Sequence, residues 1–173
     1  VWFAAQARAL GVELKHGPID VGVRVEVPAT VTEELTDALY EPKFVYFSKS
    51  FDDKVRTFCF NPSGEIITES YDGVITVNGQ SYSETKTSNT NFAILVSTSF
   101  TEPFKEPIAY GKYLARLANL LSGGIMVQRF GDLEAGRRST DERIERNLVK
   151  PTLRSATPGD LSFVLPYRYL SDI

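Results

Sequence analysis

At 173 residues, 42% of them hydrophobic and 24% charged, the chain has the length of one ordinary domain and can bury a core without disulfide or metal staples. A net charge of -3 excludes a general nucleic-acid binder, which needs a basic surface to displace phosphate counterions, and no run is long and apolar enough to cross a bilayer. The single cysteine, Cys59, forms no internal disulfide, and without a charged-then-apolar leader the expected location is the cytoplasm.

Residues 1–10 read as a helix with apolar residues on nearly every side, only Gln6 and Arg8 being polar. Such a helix needs partners on more than one face, and with no cap ahead of it the chain reads as cut from a larger body, or else as a processed or trimmed protein. Gly11 suits the position after the helix, and residues 12–16 alternate as a short strand. Val21, Val23, Val25 and Val27 share one face of the next strand, with Gly22, Arg24 and Glu26 on the other. Pro28 ends it. Thr30-Val31-Thr32-Glu33 has the form of a capping box and predicts a helix to about Leu39.

The middle predicts strands over 43–48 and 54–60, a type I turn at Asn61-Pro62-Ser63-Gly64, and a strand over 65–71. Asp72-Gly73 makes a turn, 74–77 a strand, and Asn78-Gly79 a second hairpin turn before 80–83. A polar loop over 84–91 precedes the nearly continuous apolar run 92–98, suited to a central strand. Pro107 opens a helix with Tyr110, Leu114, Leu117 and Leu121 on one face, closed by Gly123-Gly124. A short strand over 125–127, a capping box at Ser139-Thr140-Asp141-Glu142 opening a helix to about Asn147, and a proline-broken tail complete the chain, with Tyr167-Arg168-Tyr169 read as surface. The predicted class is α+β, an antiparallel or mixed sheet with three or four helices.

Most catalytic signatures are missing. No glycine-rich dinucleotide fingerprint, Walker loop or nucleophile elbow occurs, and one histidine with one cysteine cannot build a familiar metal centre or triad. Arg24 and Glu26 point the same way, forming either a solvated face or the polar wall of a cleft in which Arg24 grips a carboxylate or phosphate. Arg56 shares a face with Phe58 and Phe60, where it either holds a planar anion or lays its stem over the rings. Cys59 is read as a small buried hydrophobe or a reactive thiolate. Gly136-Arg137-Arg138-Ser139 precedes a helix start and is either an anion site or, among Glu134, Asp141, Glu142 and Glu145, a solvated charge network.

Several segments carry a resemblance: Asp20-Val21-Gly22-Val23-Arg24-Val25-Glu26-Val27-Pro28, Leu39-Tyr40-Glu41-Pro42-Lys43, Phe51 to Cys59, Tyr71-Asp72-Gly73 through Asn78-Gly79, Gln128-Arg129-Phe130-Gly131-Asp132-Leu133, Gly136-Arg137-Arg138-Ser139-Thr140 and Pro158-Gly159-Asp160-Leu161. Together they resemble a family of FAD-dependent dehydrogenases over nearly the whole chain. The resemblance implies a domain inserted between two parts of a Rossmann-like FAD-binding domain, with residues 1–11 a remnant helix of that domain and 12–173 the inserted, substrate-side domain. It implies FAD in the full-length protein and none in this fragment, which would be inactive alone. The implied partners are the rest of its own chain and a small-molecule substrate faced by Arg24, Glu26, Arg56 and Asn78, with no nucleic acid or membrane. The family often carries histidine where this chain has Gln80, so the resemblance does not extend to acid–base chemistry at that turn. A non-catalytic interaction module, self-associating as a homo-oligomer through exposed apolar surface, is the alternative.

Overall fold

The computed structural model describes residues 2–15 and 17–173. The strands are Ile19–Pro28 (β1), Val45–Phe47 (β2), Lys54–Asn61 (β3), Glu65–Tyr71 (β4), Val74–Gln80 (β5), Asn89–Thr98 (β6), Met126–Val127 (β7) and Thr157–Pro158 (β8). The helices are Trp2–Ala9 (α1), Ala29–Ala38 (α2), Pro107–Ser122 (α3), Phe130–Glu134 (α4), Asp141–Glu145 (α5) and Tyr167–Asp172 (α6), with a 3-10 turn at Leu161–Phe163. The class is α+β. The helices beyond the expected ones are α4 and α6, of five and six residues, too short for a periodic pattern to announce them.

The main sheet has the antiparallel order β1-β6-β3-β2, so the apolar run of β6 is central as its composition requires. Its register sets Val21, Val96 and Val55 side by side, and Val96 is fully buried. Tyr110 and Leu114 of α3, Val164 and Leu165 after the 3-10 turn, and Tyr169 of α6 close over this valine face. The helix row that meets the sheet is Tyr110, Leu114 and Ala118, spaced by four. Leu117 and Leu121, expected on that face, are instead 37% and 49% exposed. Tyr169 is likewise core rather than surface, at 3% exposed, while Arg168 beside it pairs with Asp53 and, like Tyr167, stays exposed. No helix among the described residues is long and apolar enough to cross a membrane.

Several local expectations are corrected. No strand forms over 12–15, because Val12 turns back to donate to the Ala7 carbonyl at 2.9 Å and ends α1; His16, the last residue of that expected strand, and Val1 lie outside the described residues. The helix after β1 starts at Ala29 with Pro28 in the capping place, so Thr30 sits inside the helix. Ala29 N–H instead donates to the Ser88 carbonyl at 2.8 Å, which carries strand pairing up to the helix itself. At α5 the cap is Thr140, accepting from Arg143 N–H, since Ser139 is drawn into a buried bond with Asp132. The turn after β3 has Ser63 at φ 48°, a positive value that a type I turn lacks.

The largest correction concerns Asn78-Gly79, which make no turn. The β4–β5 hairpin closes at Asp72-Gly73, both at positive φ, and pairs without interruption from Tyr71↔Val74 to Glu65↔Gln80. Asn78 and Gly79 therefore lie within β5, opposite Ile67 and Ile66. The hairpin spans two neighbours: Ile75 exchanges backbone hydrogen bonds with the Asn119 amide of α3, while Gly79 lies against the Arg24 side of the main sheet.

Candidate functional site

Arg24 projects from β1 on the face opposite the valines and crosses to β6 and β3. Its Nε donates to Asn91 Oδ1 at 2.7 Å, and its Nη2 donates to the Cys59 carbonyl at 2.7 Å and to Asn61 Oδ1. The Cys59 carbonyl is available because β3 slips register between Phe58 and Asn61, with Cys59 at φ 49°. Three of the five guanidinium donors are thus consumed by protein acceptors. A Cβ added at Gly79 would collide with Arg24 Nη2, Asn91 Oδ1 and Asn61 Oδ1, so the absent side chain is what lets β5 close over this cluster. Asn91 is fully buried, and its Nδ2 has no partner among the described residues. Burial lowers the guanidinium pKa of Arg24 from its ordinary value.

Glu26 is two residues along the same face, but its carboxylate is spent at once. It accepts from Thr152 N–H at 3.2 Å, from Thr152 Oγ1 at 2.6 Å and from Asn89 Nδ2 at 3.3 Å. Asn89 Nδ2 also donates to the Lys150 carbonyl at 2.8 Å, so β1 and β6 together pin the 150–152 segment. Asn78 donates to Glu69 Oε1 at 2.8 Å and accepts from Gly79 N–H at 2.8 Å. These three expected site residues are therefore held by protein partners around one end of the sheet.

Arg56 is set apart from them. It lies 5.0 Å over the Phe58 ring and donates to Asp20 Oδ2 at 2.6 Å, with its side chain still 29% exposed. Burial alone would raise the Asp20 carboxyl, but hydrogen bonds from Ser97 and Arg56 and the Arg56 charge hold it below the ordinary range. Phe58, Val45 and Phe47 share this face by register and stand 37%, 55% and 58% exposed. The Arg56 guanidinium thus lies over an aromatic ring while its fork reaches the chain's own Asp20.

Two polar centres were not foreseen. Asp132 of α4 is fully buried, accepting from Arg137 Nε at 2.8 Å and Ser139 Oγ at 2.8 Å, with Arg129 Nη1 at 3.7 Å. Arg137 first, then Ser139 and Arg129, hold its carboxyl below the ordinary range against the opposing effect of burial. Arg137 is thus organised by an inward acid rather than by the outer glutamates. Asp53 and Asp172 form the second centre: Arg168 holds Asp53 below the ordinary range, while burial raises Asp172. Their pairing joins the turn just ahead of β3 to α6, and nothing in the spacing of the sequence points to it.

Among the described residues the only parallel strand pair is β7 with β8, two residues each, and no strand leads through a glycine-rich turn into a helix. That arrangement does not fit the diphosphate of a dinucleotide, which needs a helix N-terminus set behind such a turn. A search of curated proteins finds no match to the chain. A model of the family described as FAD-dependent protein, C-terminal domain-like, matches residues 18–172, and with nearly its whole length so covered the chain belongs to that family.

Proposed function

We propose that this domain covers the substrate side of an FAD-dependent oxidoreductase and is inactive by itself, the dinucleotide being held by a separate body of the same polypeptide. The observation that carries the reading is the uncovered half of the sheet face bearing Arg56, Phe58, Val45 and Phe47. The chain exposes 11221 Å², whereas a compact monomer of 19.3 kDa exposes about 8,500 Å². The surplus is well above the roughly 800 Å² per partner of a specific interface, and a docked domain would cover it. Arg56 is the residue we place toward an anionic substrate, since it keeps exposed donors beside an aromatic surface. Arg24, Glu26 and Asn78 act behind it as positioning residues, because their polar atoms are already engaged.

The exposed Trp2, Phe3 and Leu10 of the α1 region, together with Phe44 to Phe47 at the sheet edge, favour a second reading as an interaction module. Flavin binding separates the two. Absorbance and thermal shift are compared for this chain and for a version extended at both flanks. Copurification of FAD with the extended version alone supports the proposal. Stoichiometric FAD on the chain by itself overturns it, and salt-resistant dimerisation with no flavin response in either version supports the interaction module.

A further inference from the structure

Next to the Glu26 clamp, three segments leave an open groove of about 400 Å³, within the range of small-molecule sites. Glu65 at the start of β4, Thr87 and Ser88 ahead of β6, and Lys150, Thr152 and Arg154 line it. Its walls are fixed by contacts that use up the neutral groups. Thr152 Oγ1 donates to Glu26 and accepts from Ile66 N–H at 2.9 Å, Thr87 Oγ1 donates to the Gly64 carbonyl at 2.7 Å, and the Lys150 carbonyl accepts from Asn89. What remains uncommitted is chiefly cationic. Arg154 is exposed with no carboxylate within ion-pair distance among the described residues, and Lys150 touches only Glu145 at the rim, at 3.4 Å. Of the acids nearest to hand, Glu26 is occupied by Thr152 and Asn89, while Glu65 lines the β4 side of the groove.

We infer that this groove binds a small oxyanion, a phosphate or a carboxylate, between the Arg154 fork and the Lys150 ammonium. The fork offers two parallel donors to a planar or tetrahedral oxyanion, and the Lys150 ammonium, on a residue that lines the same groove, supplies a second charge. Glu26 reaches the site only through Thr152, which makes it a positioning residue for the 150–154 wall. The inference stands apart from the flavin reading, because the groove is complete within this chain.

The test is calorimetric titration of the intact protein, at low ionic strength, with inorganic phosphate in one arm and citrate in the other. Saturable binding by either anion, weakened about tenfold by Arg154→Gln and again by Lys150→Gln, is the expected result. Phosphate alone or citrate alone binding in this way identifies which oxyanion the groove prefers. Both residues lie at the surface, and thermal melting without anion establishes that the variants stay folded. No saturable heat with either anion, or an affinity unmoved by Arg154→Gln, overturns the assignment whatever the flavin experiment gives.

Discussion

Replacing Gly79 by alanine tests whether the Arg24 cluster is as tightly closed as its geometry indicates. The added Cβ would meet Arg24 Nη2, Asn91 Oδ1 and Asn61 Oδ1 inside contact distance, all three belonging to side chains already bonded to one another. Arg24 cannot swing aside without releasing the Cys59 carbonyl, and Asn91 is fully buried. Overpacking of this kind costs about 1–3 kcal/mol. One lost hydrogen bond adds about 1 kcal/mol, so the expected loss is roughly 2–4 kcal/mol. In urea, with a slope of about 2 kcal/mol per molar, the midpoint should fall by about 1 M or more. Arg24→Met removes one of the groups struck, so Gly79→Ala should cost at least about 1 kcal/mol less in that background. A midpoint for Gly79→Ala within about 0.25 M of the parent, or strict additivity with Arg24→Met, would refute the close packing of β5 on this cluster.

Glu26→Ala should loosen the 150–152 segment, costing about 1–3 kcal/mol, with faster amide exchange at Thr152 as the local readout. Asp172 is held above the ordinary carboxyl value by burial, so it keeps a proton over a range where the unfolded chain has lost it. Its contribution therefore falls as pH rises from the ordinary range through that raised value, whereas that of Asp53, lowered by Arg168, is lost only as pH falls below the ordinary range. Asp172→Asn should accordingly leave the protein more stable at neutral pH and flatten the decline that sets in as pH rises above the ordinary carboxyl range in urea titrations. Arg56→Ala should cost no more than about 1 kcal/mol of stability, its pair with Asp20 being partly exposed, yet raise KM for an anionic substrate in the whole protein. An unchanged KM would remove Arg56 from the substrate side.

The sheet was legible wherever period-two patterning and turn chemistry agreed. The four valines of β1, the apolar run of β6 and the Asp72-Gly73 turn all fall where their residue types direct them. Asn78-Gly79 misled because a local turn signal competed with seven-pair registry from the preceding turn, and because Gly79 serves a distant arginine rather than the local backbone. The same holds for the caps: Thr30 loses its expected place since β1 stays paired up to Ala29, and Ser139 loses its own to Asp132. Of the candidate site, the common face of Arg24 and Glu26 was readable from their spacing. Their partners were not, since Cys59, Asn61, Asn91 and Thr152 reach them only through tertiary contacts across three strands and a late loop.

The tie between Glu26 and Thr152 joins positions 126 residues apart, and among the described residues β1 pairs only with β6, five strands later in the chain. Nothing local rewards β1 for adopting its final form, so the entropy of closing a long loop is spent before any of its partners returns a contact. During synthesis, a strand of alternating valines waits unpaired until β6 has left the ribosome, and the 150–154 wall docks later still. The Arg24 and Glu26 side of that strand then carries a second consequence: two charged side chains between the valines keep the waiting strand from stacking on copies of itself.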